Sequence, residues 1–215
     1  EVYFLFLLPL EEWWPRVVAT ASAAQAQRAL VSIPTHVEHC VDDGLPFVVR
    51  VVDRLRRKDE AREPATPAAK RTGPPVNPFL PHEPALYIAD ASPDHFCLLN
   101  KFNVVDHHLL IVTREFHAQD EPLTTVDFAA ADYCLRACER AGLDGLAFYN
   151  GGRAAGASQP HKHLQVMPIR RAASGARMPI ERWLELDAAV AAAGRFSALP
   201  FMHRIKWSGS PGNSA

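Results

Sequence analysis

Cysteine and net charge are both scarce in this 215-residue chain. Its four cysteines stand at 40, 97, 134 and 138, and none forms a Cys-x-x-Cys pair. That spacing excludes the common zinc ribbons and knuckles, and it gives no sign of a disulfide framework. Cys134 and Cys138 fall one helical turn apart and read as buried thiols, which fits a reducing cytoplasmic location. Lys and Arg number 23 against 24 Asp and Glu, a formal net charge of -1. No global basic field exists to attract nucleic acid, so any anion must be held locally. No apolar run is long enough to span a membrane. Val2 to Leu10 is apolar but short, lacks a basic flank, and is followed by Glu11, Glu12 and two Trp, unlike a signal peptide. Neither a nucleic-acid nor a membrane partner is expected.

What is present is ordinary globular composition, 48% hydrophobic and 22% charged, enough for one large domain or a domain with an appendage. Ala19 to Leu30 is rich in Ala and Gln and reads as a helix. Leu45 to Val52 is β-branched and aromatic and reads as a strand. Charges then crowd from Arg54 to Arg62, and seven prolines fall between Pro64 and Pro84, which excludes regular helix and central strand. Strands are expected at Ala85–Asp90, His95–Asn100 and Leu109–Thr113. Thr124 and Thr125 before Asp127 begin a helix with Phe128, Ala131, Leu135 and Cys138 on one stripe, ending at Gly142 to Gly145. Leu146–Asn150 and His161–Ile169 read as antiparallel neighbouring strands joined by a ten-residue loop. Pro179 to Ala192 reads as a further helix. This mixed order implies an α+β fold rather than a doubly wound parallel sheet.

The chemistry concentrates between Asn150 and Gln165, where a small-residue loop runs into His161-Lys162-His163-Leu164-Gln165. Side chains alternate along a strand, so His161, His163 and Gln165 share one face and Lys162, Leu164 and Val166 the other. Neutral imidazole is a good nucleophile toward phosphorus near pH 7. Attack forms a covalent phosphoramidate and divides one hard transfer into two easier steps. The second imidazole can hold phosphate oxygens or position its neighbour. Gln165 can donate an amide hydrogen without titrating. Backbone N–H groups around Gly151, Gly152 and Gly156, with Ser158 and Gln159, can stabilise developing charge. The pair of His at i and i+2 lacks an evident third and fourth metal ligand. The loop is not a Walker A motif, because no Gly-Lys-Ser/Thr follows, nor a dinucleotide fingerprint. His107 and His108 are adjacent, so only one can face a given side; the expected role of one is to pack or cap the strand end.

Three blocks carry a family resemblance: Asn77 to Leu86, Leu98 to Phe116, and Phe148 to Gln165. Together they resemble the histidine-triad superfamily in its transferase branch, most closely the ATP adenylyltransferase (diadenosine tetraphosphate phosphorylase) family, over roughly residues 31 to 205. The resemblance implies a histidine-triad-like, mostly antiparallel sheet with flanking helices. It implies phosphorolysis of diadenosine tetraphosphate to ATP and ADP through an AMP–histidine intermediate, with diadenosine tetraphosphate, ATP, ADP and phosphate as partners. His163 matches the nucleophile, with His161 and Gln165 completing the catalytic strand. Asn100 and Lys101 match a nucleotide-contacting pair, Asn150 and Gly156-Ala157-Ser158-Gln159 a phosphate loop, and Lys58 a further nucleotide-binding lysine. Gln165 stands where hydrolase relatives place a third His. An amide cannot pass protons to water as an imidazole can, so Gln165 argues for transfer to phosphate. Mg2+ is expected to accompany the polyphosphate, and no organic cofactor or protein-held metal is expected.

The expected organisation is an atypical segment over 1–30, the adenylyltransferase domain over 31–205 with its Pro-rich connection at 64–84, and a flexible tail over 206–215. Leu199 to His203 looks like the start of a second, related half that then stops, an apparent truncation. The rival expectations are an ADP-sulfurylase, a sugar-1-phosphate nucleotidyltransferase or a hydrolase of the same superfamily, and a nucleotide-binding protein without turnover.

Overall fold

The structure is a computed structural model that describes residues 7–42, 45–52, 77–169 and 202–204. Lys58, the charge run, most of the proline-rich stretch, the expected helix at 179–192 and the tail lie outside the described residues, as does most of the expected start of a second half. The chain divides into two compact units, Glu1–Val37 with Arg50–Arg170, and Glu38–Val49 with Arg171–Ala215. The first carries the motifs above. In the second, the described residues are 38–42, 45–49 and 202–204, and the strand segments among them belong to β1 (Thr35–Asp42) and β2 (Leu45–Val52). These pair as a two-stranded sheet. β2 falls where β-branched composition places it, whereas β1, THVEHCVD, was not foreseen.

The first unit is built on five strands in the order β3-β4-β5-β7-β6, every neighbouring pair antiparallel. They are β3 (Tyr87–Ser92), β4 (His95–Leu99), β5 (Leu109–Thr113), β6 (Asp144–Phe148) and β7 (His163–Ile169). With two helices packed on the sheet, the fold is α+β, as expected. β4 and β5 are interior strands, and all ten of their residues are buried. Their near-continuous apolar runs suit strands covered on both faces. One face presents Cys97, Leu99, Leu109, Ile111, Leu164 and Val166 to the helices. The other carries Phe96, Leu98, Leu110 and Val112, covered by Phe79.

Helix α1 (Leu10–Ala26) begins nine residues before the expected Ala19 and ends four before Leu30. Pro15 lies inside it, which costs about 3 kcal/mol in a helix interior. The offset is burial: Trp13, Val17, Ala21 and Ala24 form a stripe at helical spacing, all buried. Trp13 and Val17 each contribute roughly 2 kcal/mol, and Trp13 sets its edge on Tyr133 at a centroid distance of 6.3 Å. The apolar stretch before it is partly used, since Leu8 and Leu10 pack against this core.

Helix α2 (Thr125–Arg140) starts where the Thr-Thr-x-Asp signal places it, through a reciprocal capping box between Thr124 and Asp127. Its buried stripe is Asp127, Ala130, Ala131, Cys134, Ala137 and Cys138. Phe128, expected on that stripe, is 60% exposed. The small residues allow close approach to the sheet, and the stripe begins at the buried Asp127 carboxylate, not at an aromatic ring. Smaller shifts occur at strand ends. A 3-10 turn at Pro84–Leu86 delays β3, β6 already includes Gly145, and His161 makes an isolated bridge with Ala118 before β7 begins.

Candidate active site

β7 pairs Val112 with His163 and Leu110 with Gln165 on one side, and Phe148 with Gln165 on the other. Alternation then sorts the motif. Leu164 and Val166 join the helix-side core, and the Lys162 ammonium reaches the Asp127 carboxylate at 3.2 Å and the Pro122 carbonyl at 2.9 Å. The His161 and His163 rings both meet Phe79, at centroid distances of 5.7 and 5.3 Å. One aromatic side chain thus covers the two imidazoles of the expected catalytic face.

The His163 Nδ1 lies 2.8 Å from the backbone carbonyl of His161. A carbonyl only accepts, so Nδ1 carries the hydrogen and the neutral ring keeps its lone pair on Nε2. Burial lowers the His163 pKa below the ordinary 6.5, partly countered by the bond to that carbonyl. The ring is therefore neutral near pH 7, the state a nucleophile needs. His161 is fully buried, with Nδ1 at 3.0 Å from the Asn77 amide and Nε2 at 2.9 and 3.2 Å from the Thr113 and Glu115 carbonyls. Of the two expected roles for this second imidazole, such burial suits positioning a neighbour rather than touching phosphate.

Gln165 rests its amide against His108, whose pKa burial lowers while Gln165 raises it and His163 lowers it further. Asn100 approaches the same ring, Nδ2 to Nδ1 at 3.3 Å, and its backbone N–H donates to the His108 carbonyl at 2.8 Å. Asn100, His108, Gln165 and His163 therefore form a contiguous row. His107, by contrast, adopts a left-handed backbone at φ 58 and sets its ring against Trp14. The turn between β4 and β5 is how two adjacent histidines part company. Lys101 does not join the row in this structure; its ammonium pairs with Glu83 at 2.6 Å, both about two-fifths exposed. So exposed a pair is worth at most about 1 kcal/mol, which a polyphosphate could readily displace.

The loop from Asn150 to Pro160 contains a 3-10 turn, Arg153–Ala155. Gly152 at φ 83, ψ 179 and Gly156 at φ 92 hold conformations that side chains rarely adopt. A Cβ on Gly152 would also come 3.2 Å from the Asp120 Cβ. The Gly156 and Ala157 N–H groups close the turn onto the Arg153 and Gly152 carbonyls. A cavity of about 500 Å³ lies between the loop and the 116–120 segment, lined by Phe116, Gln119, Asp120, Arg153, Ser158 and Gln159 among others. Its size suits a small ligand, and Phe116 also meets the His161 ring at 5.4 Å. Asn150 is tied in through its carbonyl, which accepts from Gln119 at 2.9 Å.

Gln119, Asn77 and Phe79 carried no role in the sequence reading. Asn77 and Phe79 stand in a recognised block, yet nothing in their spacing tells that the segment folds over the two imidazoles. Gln119 is separated from His163 by 44 residues, and only pairing of the segments brings them together. Among the described residues no group of three or more His, Cys, Asp or Glu is placed to hold a metal ion.

Fold and site together define an α+β protein with a two-imidazole strand beside a glycine-bent loop. The Ap4A phosphorylase N-terminal domain model matches residues 6–186, so the chain belongs to that family. The match reaches well into the first thirty residues, which the sequence reading set apart. Two proteins of Saccharomyces cerevisiae are similar: Protein APA1, 43% identical over 74 residues, and diadenosine 5',5'''-P1,P4-tetraphosphate phosphorylase 2, 40% identical over 106 residues. These matches cover 34% and 43% of this chain, and 23% and 31% of the relatives. Among solved structures, yeast Ap4A phosphorylase Apa2 in complex with AMP aligns over 74% of this chain and 50% of its own, with TM-score 0.57 and 27% identity. The same yeast protein in complex with Ap4A aligns over 90% and 60%, with TM-score 0.61 and 23% identity, a likeness of fold. The chain thus spans half to three-fifths of these solved relatives and a smaller share of the curated ones.

Proposed function

We propose that this chain carries the adenylyl-transfer centre of a diadenosine tetraphosphate phosphorylase. The observation that supports it most is the His163 tautomer: Nδ1 donates to the His161 carbonyl, which leaves Nε2 as the nucleophilic lone pair. In the reaction, Nε2 attacks the α-phosphorus of diadenosine tetraphosphate. An N–P bond forms, the P–O bond to the rest of the molecule breaks, and ATP leaves with the electron pair. The charge gained by the ring is shared with the carbonyl that holds Nδ1–H. Phosphate then attacks the same phosphorus, ADP departs, and His163 is restored. Two in-line displacements at one nitrogen replace a single harder transfer.

The surrounding residues divide the remaining work. Gln165 and Asn100 offer amides beside the His163 row, and Lys101 exchanges Glu83 for phosphate charge. Arg153, Ser158 and Gln159 line the loop cavity and would hold the polyphosphate, with Asn150 anchoring the loop. Lys58 would add a cation. Mg2+ would arrive with the polyphosphate, neutralising charge that the few cations here leave over. No described helix is long and apolar enough to cross a membrane, and a cytoplasmic location is proposed with the activity.

Incubation with diadenosine tetraphosphate tests the reading. ATP plus ADP should appear only with phosphate, an acid-labile AMP adduct should form without it, and His163→Ala should abolish both. AMP plus ATP released without phosphate would instead indicate a hydrolase. Nucleotide binding with no adduct would indicate a protein without turnover.

A further inference from the structure

We infer that Asn77 is a positioning residue that locks His161 into one neutral tautomer and through it aims His163. The Phe79 backbone N–H lies 3.0 Å from Asn77 Oδ1. An N–H only donates, so the oxygen of the amide faces Phe79 and the Nδ2 hydrogens face His161. Nδ2 lies 3.0 Å from His161 Nδ1, which must therefore be the unprotonated nitrogen of that ring. The other side of the imidazole gives the same answer independently. Nε2 sits 2.9 Å from the Thr113 carbonyl and 3.2 Å from the Glu115 carbonyl, which only accept, and 2.9 Å from the Thr113 hydroxyl, whose own hydrogen is given to the Glu115 carbonyl at 2.8 Å. Nε2 therefore bears the hydrogen.

Protonating His161, itself fully buried, would turn an N–H toward the half-buried Asn77 N–H2, two donors face to face. Burial is the largest influence against its cation, the bonds to the Thr113 and Glu115 carbonyls favour it, and the titratable groups bearing on it, His163 and His117, disfavour it; the net direction is down. With both nitrogens committed, the ring cannot tilt without breaking a bond. Its backbone carbonyl, the acceptor for His163 Nδ1–H, is thereby held in place. Phe79, two residues from Asn77, sets its ring against both imidazoles, so the same segment fixes the tautomer and covers the pair. Asn77 thus acts on the attacking nitrogen through His161.

The effect on turnover rests on the proposed reaction, but the tautomer does not, so the two can fail separately. Long-range 1H–15N spectra of the imidazoles in the 15N-labelled chain read protonation directly. His161 should appear as the neutral Nε2–H form and stay so as pH falls through 6.5. A Nδ1–H or cationic His161 in the unsubstituted protein would overturn the inference at once. Asn77→Asp replaces the donor by an acceptor and should convert His161 to the cation, protonated at Nδ1 as well as at Nε2. Asn77→Ala should give mixed tautomers, and serves if the Asp variant does not fold. Adduct formation should fall by up to about 100-fold in either, the scale of a misplaced reacting group, with KM little changed. An unaltered His161 spectrum in both variants would refute the lock. Altered spectra with unaltered adduct formation would refute the aiming of His163.

Discussion

Gln119 grips the backbone of His163 from both sides: its Oε1 accepts from the His163 N–H at 2.7 Å, and its Nε2 donates to the His163 carbonyl at 3.1 Å. The same Nε2 reaches the Asn150 carbonyl at 2.9 Å, so one buried amide ties the start of the loop to the start of the catalytic strand. Tyr149 adds to the clamp by donating its hydroxyl to the Gln119 and Glu121 carbonyls.

Gln119→Ala should therefore cost about 3 kcal/mol, because it strands a buried N–H and a buried carbonyl that each cost roughly 1–3 kcal/mol unpaired. Urea unfolding measures the loss. A change below about 0.5 kcal/mol would mean water replaces the amide.

A second expectation concerns the buried ions beneath the strand. Asp127 is 2% and Lys162 3% exposed, and Asp127 also holds His95 at 2.8 Å and the Thr124 N–H at 2.7 Å. Burial pushes its carboxyl up, but the bonds from Thr124, His95 and Lys162 outweigh this and bring it from 3.8 down to about 2. Lys162→Met should cost roughly 3 kcal/mol, since it leaves part of a buried charge uncompensated. Because the folded-state value is depressed, the stabilisation is present above about pH 4 and is lost as pH falls toward 2, by about 2 kcal/mol. Asp127→Asn should lack that acid-dependent component. An identical acid-unfolding profile in the two proteins would contradict the assignment.

Gln165→His places a third imidazole next to His108 and in line with His163. Hydrolysis should rise relative to phosphorolysis, because an imidazole can relay a proton to or from water and an amide cannot. The ratio of AMP to ADP formed from diadenosine tetraphosphate at fixed phosphate reads this. A ratio equal to that of the unsubstituted chain would exclude a role for Gln165 in choosing the acceptor.

The thiols give a simple check of the core. Cys97, Cys134 and Cys138 are buried and Cys40 is exposed. Burial raises Cys134 well above 9 and lifts Cys138 to about 12, so neither forms a thiolate near neutrality. A thiol reagent should label one cysteine quickly in the native chain and all four in denaturant. Rapid labelling of three in the native chain would show that α2 does not pack as described.

Much of the site was legible because strand alternation is a local rule. His163 and Gln165 belong to β7 and His161 stands two residues before its start, and their relation to Leu164 and Val166 follows from the geometry of extended chain. The capping box at Thr124 was legible for the same reason, its two partners being three residues apart. The first half of helix α1, Leu10 to Val18, was not, since Pro15 argues against a helix interior until Trp13 and Val17 are buried. Phe128 was misplaced because helical spacing alone cannot tell which flank of a stripe the sheet will cover. His107 and His108 could be told apart only by the left-handed turn that separates them.

The sequence by itself determined the α+β class, the family, the strand that bears the imidazoles and the bent loop beside it, because each depends on residues close together in the chain. Tertiary structure decided which nitrogen of each imidazole carries its hydrogen. That choice rests on Asn77, on the Thr113, Glu115 and His161 carbonyls, and on a frame held by Gln119. Most of these groups lie tens of residues from the rings they govern, and hydrogen-bond direction exists only once donor and acceptor are within about 3 Å.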